Sequence, residues 1–167
     1  MLGYYNKKFL INFFFILIIF SLDRISKIYV IYQSEKNLFN DLFQSNFLNI
    51  SLIWNEGIAF GLLSFDEGYF YNILTFLILI VVILIFFMIL RSEGLKKYSL
   101  LMILGGALGN LYDRIFFKAV PDFIDFHIGN FHWFIFNVSD IFISLGVLFL
   151  IFLELINNQK KDINEKN

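Results

Sequence analysis

From Gly68 to Leu90 the chain runs twenty-three residues without a charged side chain. At a helical rise of about 1.5 Å per residue this stretch covers about 34 Å, enough to cross a hydrocarbon core about 30 Å thick. The rest of the sequence belongs in the same solvent: of 167 residues, 59% are hydrophobic, 20% aromatic and only 16% charged, and the mean hydropathy is positive. Those proportions describe an integral membrane protein.

Three further apolar stretches are each cut short by charge. Phe9–Leu22 runs into "DRISK", Tyr98–Tyr112 runs into Asp113-Arg114, and Ile141–Leu153 follows directly on Asp140. Each needs its charged end to complete a span. We therefore expect an all-α membrane fold, one domain over 1–167: a four-transmembrane-helix bundle with helices at about 9–32, 68–90, 98–117 and 134–156. Lys7 and Lys8 before an apolar run resemble the start of a signal peptide, but no small-residue cleavage site follows, and the segment is expected to stay as the first helix.

Lys7, Lys8, Arg91, Lys96, Lys97, Lys160, Lys161 and Lys166 share one side of such a bundle, while Gln33–Glu67 contains only Lys36. Both termini are expected in the cytoplasm, with 33–67 and 118–133 outside. Asp23 then lies about 21 Å along the first helix from Phe9, Asp113 about 22 Å along the third from Tyr98, and Asp140 about 20 Å from Leu153. The charges meet at one depth, near the outer face. Such residues in a bilayer face a bundle interior or cavity. A plainer reading competes: Asp23 and Lys27, four apart, and adjacent Asp113 and Arg114 could neutralise each other locally. Asp140 has no basic neighbour in sequence, only Asn137 and Ser139, and is a candidate acid or base.

The connecting segments suit a roof over that depth. "LNISLIWN", Leu48–Asn55, alternates as a strand does until Ile53 breaks the pattern. Gly57 allows a turn in "NEGIAFG". Gln33–Phe47, with Leu38, Phe39, Leu42 and Phe43, has the spacing of an interfacial amphipathic helix. A small extracytoplasmic β-rich cradle is expected from these parts. Gly105 and Gly109 form a small-residue pair whose ordinary meaning is helix packing.

Chemistry narrows the function. There is no cysteine, so disulfides, thiolate metal sites, a cysteine nucleophile and a lipoprotein anchor on this chain are excluded. The two histidines, His127 and His132, form no zinc-protease motif, and no G-x-S-x-G is present. Neither metal nor cofactor is expected. A net charge of −1 without a basic run leaves no nucleic-acid footprint. Two carboxylates sharing one proton remain. Asp140 needs a partner, and "VPDFIDF" offers both Asp122 and Asp125, between which the residues alone do not choose.

"SLDRISK", "NEGIAFG", "GGALGNLYDR", "VPDFIDF" and "FNVSD", in this order from Ser21 onward, closely resemble the lipoprotein signal peptidases, or signal peptidase II. The resemblance covers essentially the whole folded chain. It implies an intramembrane aspartic endopeptidase of the bacterial cytoplasmic membrane, cutting prolipoproteins before a diacylglyceryl-modified cysteine. Contact with membrane lipids and a monomeric state are expected, though no residue in the sequence fixes the oligomeric state. The resemblance further implies Asp122 and Asp140 as the catalytic pair and a structural role for Asp125. Gly106, Asn110, Arg114 and Asn137 would line the site, Asp23 and Lys27 support it, and Asn55 and Gly57 belong to the substrate cradle. Ser139 stands where the family usually has alanine, and Pro121 where an aliphatic residue is more typical. The alternative from the charges alone is a small proton- or ion-conducting bundle, but the cytoplasmic halves of the helices are almost devoid of polar residues.

Overall fold

A peptide group in hydrocarbon has no water to bond, so long apolar segments close their hydrogen bonds locally as helices. The computed structural model describes residues 2–36, 41–57 and 67–165. Among these the chain forms α1 (Leu2–Lys36), β1 (Asp41–Gln44), β2 (Leu48–Asn55), α2 (Glu67–Leu90), α3 (Gly94–Phe117), β3 (Val120–Ile128), β4 (Phe131–Phe136) and α4 (Val138–Glu165). Within these helices, Lys7–Lys36, Tyr71–Leu90, Gly94–Phe117 and Val138–Asn157 are long and apolar enough to cross a membrane.

The helices are not equivalent. Half of the most apolar window of α3 is buried, against 11%, 17% and 11% in α1, α2 and α4. α3 is the central element and packs on the other three. Val82, Ile85 and Ile89 of α2 meet Leu100, Leu101, Ile103, Leu104 and Leu111 of α3 in the core. Outward rows such as Phe76, Leu77, Leu84 and Phe87 are exposed, as lipid-facing side chains must be. Small residues set the approach of the helices. A Cβ on Gly105 would stand 2.9 Å from the Ile19 side chain of α1, and one on Gly106 would meet the Ser139 carbonyl and Ile143 of α4. The G-x-x-x-G pair therefore serves helix packing, as its spacing suggests.

The four strands form one antiparallel sheet in sequence order, β1-β2-β3-β4. β2 occupies the span its alternation marks, and the β2–β3 register shifts between Ile50 and Ile53, where that alternation fails. The β3–β4 turn has Gly129 at its first central position with φ 60°, the conformation a two-residue II′ turn requires. The inner end of the sheet is held by Ala119, Val120 and Phe123, all buried.

Two expectations are corrected. No separate amphipathic helix occupies Gln33–Phe47 among the described residues: α1 continues to Lys36 and Asp41–Gln44 is a strand, while 37–40, with Leu38 and Phe39, lie outside the described residues. Leu42 and Phe43 sit in a segment whose backbone pairs with β2, which decides the conformation that their spacing left open. The last helix begins at Val138 rather than near 134, because Phe131–Phe136 pairs with β3 and Asn137 caps α4. An aromatic run reads as membrane helix by hydropathy yet fits a pleated strand equally well.

Candidate active site

Asn137 is the N-cap of α4 and Asp140 its third residue. The Asn137 Oδ1 accepts from the Asp140 N–H at 3.1 Å, and the Asp140 carboxylate accepts from the Asn137 N–H at 3.1 Å. This reciprocal pair is a capping box, which explains why "FNVSD" opens a helix. It also uses the oxygen end of the Asn137 amide, so its Nδ2 points away, to the Asp122 Oδ1 of β3 at 2.6 Å. One asparagine thus joins the two aspartates.

The same logic repeats twice. Lys27 Nζ can only donate and lies 2.8 Å from Asn110 Oδ1, so Asn110 turns Nδ2 to Asp140 Oδ1 at 2.8 Å. The Gly57 N–H donates to Asn55 Oδ1 at 2.8 Å, so Asn55 turns Nδ2 to Asp122 Oδ2 at 2.9 Å. Each of the four carboxylate oxygens receives one N–H donor whose direction is set by a group that cannot reverse. Asp122 is 4% exposed. Its burial pushes its carboxyl above the ordinary value of 3.8, the amides of Asn55 and Asn137 oppose the shift, and the nearby Asp140 charge adds to it.

Beside this pair lies an ion cluster in which Asp23, Lys27 and Asp113 are buried and Arg24 is partly exposed. Lys27 Nζ is 2.9 Å from Asp23 Oδ1 and 2.7 Å from Asp113 Oδ2; Arg24 Nη2 is 2.9 Å from Asp23 and Arg24 Nη1 2.5 Å from Asp113. Two acids and two bases leave no net charge. Asp23 Oδ1 also accepts from the Ser139 N–H at 3.0 Å, tying α1 to the start of α4. Asn110, Asp113 and Arg114 fall three and four apart on one face of α3, with Gly106 a turn earlier.

Arg114 behaves differently. Its Nε and Nη1 are buried without a hydrogen-bond partner among the described residues, and its carbonyl accepts from the Tyr71 hydroxyl at 2.8 Å. Gly57 faces it: φ is 86° and a Cβ there would come 2.8 Å from Arg114 Nη1. The positive φ is what favours glycine at this position.

The fold brings together all ten residues expected around the site: Asp23, Lys27, Asn55, Gly57, Gly106, Asn110, Arg114, Asp122, Asn137 and Asp140. It does not bring in Asp125, which bonds Asn49 and His132 instead. The local pairing expected between Asp23 and Lys27 is present. Asp113 pairs with Arg24 and Lys27 of α1. Sequence reasoning does not single out Arg24 and Asp113 as site residues; the signal for Asp113 is its place three residues after Asn110, whereas nothing local points Arg24 at α3.

The sequence profile described as Signal peptidase (SPase) II matches residues 15–156. The chain belongs to the signal peptidase II family. It is 50% identical over 161 residues to the lipoprotein signal peptidase of Pelagibacter ubique (strain HTCC1062), covering 96% of each chain. It is 36% identical over 151 residues to that of Anaplasma phagocytophilum (strain HZ), covering 89% of this chain and 94% of the relative. A solved structure titled "Bacterial membrane enzyme structure by the in meso method at 2.3 A resolution" superposes with a TM-score of 0.69 at 29% identity, covering 90% of each chain. As a signal peptidase II, the protein is a bacterial inner-membrane protease that processes lipoprotein precursors.

Proposed function

We propose that Asp122 and Asp140 are the catalytic dyad of an intramembrane aspartic endopeptidase that releases signal peptides before the diacylglyceryl-modified cysteine of prolipoproteins. The observation that carries this reading is the set of asparagine amides locked with their N–H groups toward both carboxylates. Four fixed donors hold the two groups in place while leaving lone pairs free to exchange one proton, which is what a shared-proton pair needs.

In the proposed reaction the ionised aspartate takes a proton from water as the oxygen attacks the scissile carbonyl, and the protonated aspartate gives its proton to the carbonyl oxygen. The resulting gem-diol collapses: one of its hydroxyls returns a proton to the second carboxylate, the C–N bond breaks, and the departing amine takes the proton held by the first carboxyl, which restores the starting pair. Arg114 Nε and Nη1, buried and unpartnered among the described residues, are suited to receive a substrate oxygen as charge develops. The ion cluster at Asp23, Arg24, Lys27 and Asp113 fixes Asn110, and through it Asp140. The sheet, β2 and β3 above all, serves as the extracytoplasmic cradle, both termini are cytoplasmic, and the dyad sits near the outer face with membrane lipids around the helices. The enzyme works as a monomer.

The test is cleavage by purified protein in detergent of a lipidated and an unlipidated precursor peptide. Cleavage of the lipidated peptide alone, lost in Asp140→Asn, supports the assignment; substantial turnover by Asp140→Asn overturns it.

A further inference from the structure

His127 and His132 face each other across β3 and β4, as register partners. Their rings stack with centroids 5.1 Å apart. Asp125 precedes His127 by two residues, and its Oδ2 is 2.8 Å from His132 Nδ1. One ligand atom from each of the three residues lies within 4.8 Å of the other two. A carboxylate–imidazole hydrogen bond accounts for Asp125 and His132. It leaves out His127, whose Nδ1 is buried and has no partner among the described residues. None of the three touches the amide network of the dyad, and Asp125 makes its other side-chain bond to Asn49.

We propose that Asp125, His127 and His132 bind one divalent transition-metal ion of the Zn2+ class on the β3–β4 hairpin. Two imidazoles and one carboxylate, without thiolate, suit a borderline ion such as Zn2+; Mg2+ and Ca2+ prefer oxygen ligands throughout. Tetrahedral bonds of about 2.0–2.1 Å place ligand atoms roughly 3.4 Å apart, so the three must draw together by up to about 1.4 Å. The His132 side chain, 52% exposed, has room to turn. Its exposure also leaves the fourth ligand position open to water. The ion would cross-link β3 to β4, the strand that carries Asp122 to the one that leads into Asn137.

The experiment uses the full chain without a histidine tag, stripped with chelator in detergent. Equilibrium dialysis against Zn2+ should load about one ion per chain, and Co2+ should give a visible absorption band of a four-coordinate site. His127→Ala, His127→Gln and His132→Ala should each weaken Zn2+ binding at least tenfold, with millimolar Mg2+ failing to compete. His127→Ala and His127→Gln should cleave substrate normally in metal-free buffer, which shows that they are folded. Zn2+ uptake by the wild type no greater than by an active His127 variant, or displacement of Zn2+ by Mg2+, overturns the proposal.

Discussion

At the residue scale the decisive feature is the fixed direction of three amides. Asparagine at 122 or 140 keeps the size of aspartate but accepts no proton near neutral pH, so Asp122→Asn and Asp140→Asn should each abolish cleavage while protein still accumulates in membranes. The double variant should be no worse than either single one, since residues acting as a unit lose activity non-additively. Asp125→Asn should remain active, and a folded but dead Asp125→Asn enzyme contradicts the assignment. Burial raises the Asp122 pKa above 3.8, so between that value and the raised one the native state holds more protons than the unfolded chain. Stability from this group is therefore full below the unfolded value and falls as pH rises through the folded one. Asp122→Asn escapes that loss, and its melting temperature relative to wild type should climb as pH rises above 3.8; a difference that stays flat with pH contradicts the shift. Ser139 Oγ is buried without a partner among the described residues, so Ser139→Ala should keep cleavage within a few-fold and raise the melting temperature by a few degrees.

At the element scale, α3 has to approach α1 and α4 closely enough for short side chains to reach across. A Cβ on Gly109 would collide with Ser139 Oγ and come 2.6 Å from Asp23 Oδ2. Gly109→Ala should therefore cost about 1–3 kcal/mol, as overpacking of a tight interface does, and should lower activity by shifting the ion cluster under Asn110. Removing one partner of a buried ion group is worse. Lys27→Met leaves Asp23 and Asp113 sharing Arg24 alone and should destabilise the fold by about 3–5 kcal/mol, measured by thermal unfolding in detergent. A Lys27→Met protein with the wild-type melting temperature would mean the cluster does not hold α1 to α3.

At the scale of the whole molecule, the ion-paired side chains Asp23, Arg24, Lys27 and Asp113 gather in one cluster between α1 and α3 while the outward rows of the helices stay apolar. With no native cysteine, single cysteines at exposed Asn46, between β1 and β2, and Glu93, between α2 and α3, report sidedness cleanly. An impermeant maleimide applied to spheroplasts should label Asn46→Cys at once and Glu93→Cys only after the membrane is opened. Labelling in the reverse order would invert the proposed orientation and put the dyad at the cytoplasmic face.

Length and hydropathy alone determined the four apolar helices, because a bilayer-spanning segment must be long, uncharged and internally bonded whatever surrounds it. Alternation marked β2 in the same local way, and the break at Ile53 marked its bulge. Other features depended on which surfaces meet. Phe131–Phe136 is apolar enough for a helix and became a strand because β3 offered it a ladder. Asp122 and Asp125 are three apart on one strand, an odd offset that sends their side chains to opposite faces, so composition and spacing could not say which one reaches the asparagines. Arg24 finds Asp113 eighty-nine residues away, a pairing with no local signal, since it exists only once Gly105 and Gly109 have let α1 and α3 come together.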